Sequence, residues 1–261
     1  MNKKLDYKIK NDKKSVNIKI TFSYNGKNYF GLQKQKDKQT VQGEIENALF
    51  KLFNQKTEIT IAGRTDKGVS AQNMVANFFT DYNIVPEKIC YALNVLLPDD
   101  IRILKSEEVE TNFNARFCAK QKTYCYAMYE SRFALPLFPF ESQVKTKLCL
   151  KNMKKAMKYL KGKHDFTSFV TNSKQYENCE RTIFKLRLIK KSFCKINHYY
   201  FYFTGDGFLY NQVRTMVGTI LLVGLNKLKP KDIKNILKCK NRSFAGKVMP
   251  SEGLTLIDIK Y

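Results

Sequence analysis

The chain has 261 residues, 43% hydrophobic and 27% charged, and Lys plus Arg outnumber Asp plus Glu by 47 to 23, for a net charge of +24. That is enough apolar chain for one large domain or two small ones, and no segment approaches the roughly 18 consecutive apolar residues of a membrane span. A positive field of this size selects polyanions, nucleic acid first and an anionic membrane surface second; the bland alternative is a Lys-rich proteome whose surfaces all drift basic. Fifteen Tyr and 19 Phe add stacking faces and favour nucleic acid. Residues 1–15 are Lys-rich without an apolar centre, so they read as a basic flexible tail and not a secretory signal. The seven cysteines, Cys90, Cys118, Cys125, Cys149, Cys179, Cys194 and Cys239, show no C-x-x-C spacing and read as free thiols of a cytoplasmic protein. His164 and His198 stand far apart and away from zinc-like spacing, so no metal is expected.

Val16, Ile18, Ile20 and Phe22 alternate along a first strand. After the turn-rich stretch YNGKNYFG, the spacing of Val41, Ile45, Ala48, Leu49, Leu52 and Phe53 predicts a helix, with Thr40 as N-cap. Ile59–Ala62 and Met74–Phe79 read as strands, Pro86 opens a helix to about Leu96, and Ile101–Lys105 reads as a short strand. This β-α-β-β-α-β order is the split pattern of ferredoxin-like folds. The order recurs downstream: strand 123–129, helix 148–160, strands 182–189 and 198–204, helices 208–223 and 229–237, and a closing strand 254–259. The expectation is an α+β protein with a domain at 16–110 and a second at 111–261, packed closely because the connection at 107–114 is short.

Two features carry chemistry. In ITIAGRTDKGVSAQ, a strand ends at Ala62-Gly63 and a turn follows with Asp66 between Arg64 and Lys67. Alone, Asp-x-Gly is ordinary turn chemistry. The second feature is FLYNQVRTMVGTILLV, residues 208–223, apolar almost all round and therefore expected to be buried, with Arg214 in its middle. A buried arginine needs an anionic partner; either a structural carboxylate or Asp66, held ionised by the guanidinium fork, would serve.

AGRTDKGVSA resembles the signature of the TruA family of tRNA pseudouridine synthases. GKNYFGLQKQ, TVQGEIENAL, YALNVLLPDDIRI, FNARFCAKQKTYCY, GKHDFTSF, ERTI, GDGFLYNQVRTMVGTILLVG and MPSEGLTLIDIKY match the family in order, from about Val16 to Tyr261. The resemblance implies two ferredoxin-like halves, split βαβ units whose sheets join across a central catalytic cleft, and a homodimer. It implies Asp66 as the catalytic aspartate and Arg214 as its partner. It further implies Arg64 as the residue that displaces the target base, Tyr124 as the stacking face for the flipped uracil, and Leu254 as a wall of the uracil pocket. Read without it, Tyr124 and Leu254 are core residues and Arg64 a surface cation.

Isomerising uridine to pseudouridine breaks the N1–C1′ bond and joins C5 to C1′ without redox change or added atoms, so no cofactor is expected. One carboxylate suffices, as nucleophile or as base for the 2′ proton, and the uridine must be flipped from its stack. The implied partner is tRNA, modified at positions 38 to 40 of the anticodon arm, or at other uridines by the same chemistry. Leu32 stands where the family often has Trp, and Lys67 and Ser70 where many bacterial members have Ala and His, which bears on the choice of uridine. His164 in GKHDF is read as part of a structural or RNA-contacting loop. A non-catalytic RNA-binding protein or tRNA chaperone on the same scaffold is the competing class. A DNA-architectural protein is disfavoured by the lack of a helix-turn-helix, a basic zipper or Arg-Gly repeats.

Overall fold

The computed structural model describes residues 15–82 and 84–261; the expected basic tail, all but Ser15, lies outside the described residues. In the first half, β1 (Val16–Tyr24), α1 (Val41–Phe53), β2 (Thr60–Ile61), β3 (Ser70–Thr80), α2 (Ile89–Leu96) and β4 (Ile101–Val109) follow the expected order. The second half contains β5 (Gln121–Glu130), β6 (Ser142–Val144), α3 (Leu150–Lys158), β7 (Gly162–Asp165), β8 (Glu180–Phe193), β9 (Ile196–Gly205), α4 (Gln212–Gly224), α5 (Asp232–Cys239) and β10 (Leu254–Lys260).

Among the described residues, all ten strands form one sheet in the order β4-β1-β3-β10-β5-β9-β8-β7, with β2 also on β3 and β6 on β5. The first half therefore runs β4-β1-β3-β2 and the second β10-β5-β9-β8, the same split βαβ topology twice. The seam is β10, antiparallel to β5 and parallel to β3. β2 pairs with β3 only at Ala76 and Asn77, which leaves Ser70 and Ala71 for β10.

The registers align one row of side chains across the sheet: Tyr24, Ala71, Leu256, Tyr124, Phe203 and Leu186. Cross-strand partners share a face, so this row lies on the buried face that also carries Ile18, Ile20 and Phe22 in β1 and Phe201 in β9. The alternation read in β1 thus marks the core face correctly, and it extends one step further, to Tyr24.

Thr40 caps α1, its Oγ1 accepting from the Gly43 amide at 3.3 Å, and the helix ends at Asn54 in the left-handed region. The expected helix from Phe208 begins four residues later, at Gln212, because Asn211 stands at φ 61°. Phe208 and Leu209 pack as loop residues, so their apolar character extends the pattern without extending the helix. From Gln212 on, α4 is buried at nearly every position, as its composition implies. Its Gly218 is required by contact: a Cβ there would stand 2.0 Å from the Lys247 carbonyl oxygen, where the segment leading to β10 crosses the helix.

Candidate active site

Residues 62–69 leave the edge of the sheet between β2 and β3 and turn over the seam. The turn is closed by the Val69 amide donating to the Asp66 carbonyl at 3.1 Å. It is braced by the Leu32 amide on the Thr65 carbonyl, 3.2 Å, and by a 2.7 Å hydrogen bond between the hydroxyls of Tyr24 and Thr65. Gly68 has φ +80°, and a Cβ there would meet Ser251 Oγ at 2.6 Å. Only glycine fits both the backbone angle and the approach.

Arg214 comes from the first turn of α4 in the other half. Its Nη1 stands 3.6 Å from Asp66 Oδ2, beyond direct hydrogen-bond range but within an ion pair. The guanidinium is fixed by two hydrogen bonds: Nε donates to the Met249 carbonyl at 2.6 Å, and the same Nη1 donates to Asn211 Oδ1 at 2.8 Å. The helix arginine thus meets the turn carboxylate, and it is oriented by the segment that delivers β10.

Tyr124 lies on β5 in the buried row, with Phe208 edge-on at 5.3 Å between centroids. Its phenol is pushed well above the usual tyrosine range by burial first and by the charge of Asp66 second, so the ring stays neutral at any physiological pH. Leu254 pairs with Tyr126, two residues along the strand from Tyr124, and so points to the same face; it is buried. Arg64 is exposed, and among the described residues it forms no ion pair within 4 Å. The structure thus brings Asp66, Arg214 and Tyr124 together, sets Leu254 one step along the same face, and leaves Arg64 at the rim.

Arg214 first and Arg64 second pull the Asp66 carboxyl toward its ionised form, in the expected direction. Desolvation by burial outweighs both, so the carboxyl stands above the usual carboxylate value, a balance the sequence does not reveal. Burial penalises the charged form, and the arginine at 3.6 Å makes too loose a pair to cancel that penalty.

Sequence reasoning missed Lys122. Its Nζ reaches across from β5 and donates to the Ala62 carbonyl at 2.7 Å, under the start of the turn, and burial first, then Arg116, lowers its pKa. Its place two residues before Tyr124 was the available signal. Ser70, the departure noted above, accepts from the Gly26 amide at 3.1 Å, while Leu32 is fully buried in the core. His164 lies in strand β7 and not in the expected loop, because residues 162–165 pair with β8, and its ring meets the Lys161 carbonyl at 2.9 Å. A basic groove of about 600 Å³ between α3 and β8, with Lys154, Lys158 and Arg187 on its walls, contains none of these site residues.

The fold and site define a duplicated split βαβ protein with a single arginine-paired carboxylate over the seam of its sheet. The family described as tRNA pseudouridine synthase matches residues 20–118 and 156–261. The tRNA pseudouridine synthase A of Caldicellulosiruptor saccharolyticus is 42% identical over 252 residues, covering 94% of this chain and 99% of that one. That of Clostridium acetobutylicum is 42% identical over 247 residues with the same coverage. Among solved structures, a chain of the archaeal box H/ACA sRNP Nop10-Cbf5 complex matches at 12% identity and a TM-score of 0.36, over 78% of this chain and 43% of that one, a likeness too distant to bear on the site. The chain belongs to the tRNA pseudouridine synthase family.

Proposed function

We propose that this pseudouridine synthase acts at positions 38 to 40 of the tRNA anticodon arm, with Asp66 as the catalytic carboxylate. The observation that carries the catalytic assignment is the Asp66–Arg214 pair, set at 3.6 Å by the two halves of the chain, with Tyr124 near enough to feel the charge of Asp66; positions 38 to 40 rest on the family resemblance. A carboxylate in a partly desolvated site is a stronger base and nucleophile than one in water. It attacks C1′ or takes the 2′ proton as the N1–C1′ bond breaks. Arg214, already fixed by Asn211 and Met249, holds one carboxylate oxygen and leaves the other free to react. The target uridine leaves its stack and rests on Tyr124, with Leu254 as the apolar wall, while Arg64 at the rim takes the space it vacates. The rotated base then bonds to C1′ through C5, which releases Asp66 from C1′ on the first route or returns its proton to C2′ on the second, while the C5 proton is lost and N1 takes one up.

We propose the domain limits as 16–110 and 111–261, the two repeats of the topology, with β10 returning from the second to pair with the first. Among the described residues no helix is long and apolar enough to cross a membrane. A cytoplasmic homodimer is the proposed working form, supported by the family resemblance and by the seven free thiols. Sedimentation of the purified protein tests the dimer.

The decisive experiment is pseudouridine mapping on an unmodified tRNA transcript by carbodiimide treatment and reverse transcription, with Asp66→Ala in parallel. Stops confined to the anticodon arm, and only with the wild type, are expected. Stops elsewhere in the tRNA would overturn the position. Binding without stops, on several tRNAs, would favour the non-catalytic RNA-binding reading.

A further inference from the structure

The loop between β1 and α1 carries an aromatic ring that the core does not use. Phe30 is 38% exposed. The ammonium of Lys67 stands 4.1 Å from its ring centroid and that of Lys38 4.8 Å. Among the described residues, neither lysine has a carboxylate within 4 Å, as holds for most lysines of this basic chain; what sets these two apart is that they share one aromatic ring. Two unneutralised cations gathered on one ring repel each other, so the cluster is arranged to meet negative charge and a π surface together.

Its placement is fixed. The Phe30 amide donates to the Gln39 carbonyl at 2.9 Å, Gln35 Nε2 donates to the Phe30 carbonyl at 2.7 Å, and Leu32 is tied to Thr65. The ring is therefore held against the turn that presents Asp66. Lys67 directly follows Asp66 in the chain, so the ring under its ammonium lies beside the turn that presents the carboxylate.

We propose that Phe30, Lys38 and Lys67 form a docking point for the RNA nucleotide adjacent to the uridine that enters the site. Its base stacks on Phe30, and the lysines leave the ring face to hold its phosphates. The inference rests on the pseudouridine synthase reading and adds to it a contact at the mouth of the cleft. Such a contact fixes which nucleotide is next to the flipped one, and so contributes to the choice of uridine.

The test is equilibrium binding of an unmodified tRNA transcript by fluorescence anisotropy, which needs no turnover. Phe30→Leu, which keeps the bulk but not the face, is expected to weaken binding about tenfold, and Phe30→Trp to hold it near wild type. Lys38→Gln is expected to lower the slope of log affinity against log salt by about 0.7, the value for one single-stranded phosphate. Of two transcripts abasic on either side of the mapped uridine, one should bind the wild type about tenfold more weakly yet bind Phe30→Leu no worse than the intact transcript does. Phe30→Leu binding like the wild type, or an unchanged salt slope in Lys38→Gln, overturns the proposal. A wild type that binds tRNA but forms no pseudouridine fails the functional reading instead, and the binding arms still decide the docking point.

Discussion

The two halves repeat one topology but treat its central hairpin in opposite ways. In the second half, β8 runs for 14 residues and passes to β9 through Cys194 and Lys195, at φ 50° and 63°. Two successive left-handed residues are the signature of a tight type I′ hairpin, in which the strands stay paired to their ends. In the first half, the equivalent strand β2 has two residues, and the connection to β3 is the turn that carries Asp66. A short β2 leaves the start of β3 unpaired, so β10 can dock there, and it frees the chain to bend over that new junction. The candidate site therefore lies where one repeat gives up the pairing that the other keeps.

The largest expected effect comes from removing the group this corner presents. Asp66→Ala should lower kcat by at least ~10³-fold, the scale of a positioned acid–base or nucleophilic group, with tRNA binding retained in a gel-shift assay. Arg214→Gln tests the contribution of the other half. A loss of about 10²-fold in kcat/KM is expected, the scale of a preorganised electrostatic partner. Its pH dependence follows from sign. In the proposed mechanism Asp66 acts ionised; burial has already raised its pKa, and Arg214 pulls it down. Removing Arg214 raises it further, so the acid limb of the rate profile should move to higher pH. A limb that stays in place would mean that Arg214 does not act on Asp66.

Gly218→Ala probes the crossing that brings β10 back. Its Cβ would press on backbone, so a loss of about 1–3 kcal/mol in denaturant unfolding is expected. The smallest effect is expected at the quiet corner. Replacing Cys194-Lys195 by Asn-Gly suits the positive φ angles and should raise stability by about 0.5 kcal/mol with unchanged activity. A fall in activity there would show that the two hairpins are not functionally distinct.

Much of this architecture was legible from the residues. The alternation of β1, the Thr40 cap and the repeated β-α-β-β-α-β order rest on local patterns that the fold keeps. The junction was not legible, since parallel pairing of β10 with β3 is a long-range choice with no local signature. β6 and β7 were missed because SQV and GKHD are too short and too polar to show a period. In the site, the rule that an arginine in an apolar helix needs a carboxylate left Asp66 and any structural carboxylate open, and only the family resemblance pointed to Asp66; the structure sets the half-buried Arg214 against it. The direction of the Asp66 shift did not follow, because it depends on how much water the fold removes and not on which charges are near in sequence.

The seam also bears on how the protein comes into being. Asn73 donates to the Ile257 carbonyl across 184 positions of chain. Contacts of that span close late, after local helices and hairpins have formed, because the loop entropy must be spent before they return anything. Each half can gather its own helices first, while the carboxylate and the arginine still belong to separate bodies. The zipping of β10 against β3 then completes both the sheet and the site, so a half-folded chain has no assembled centre with which to act on RNA.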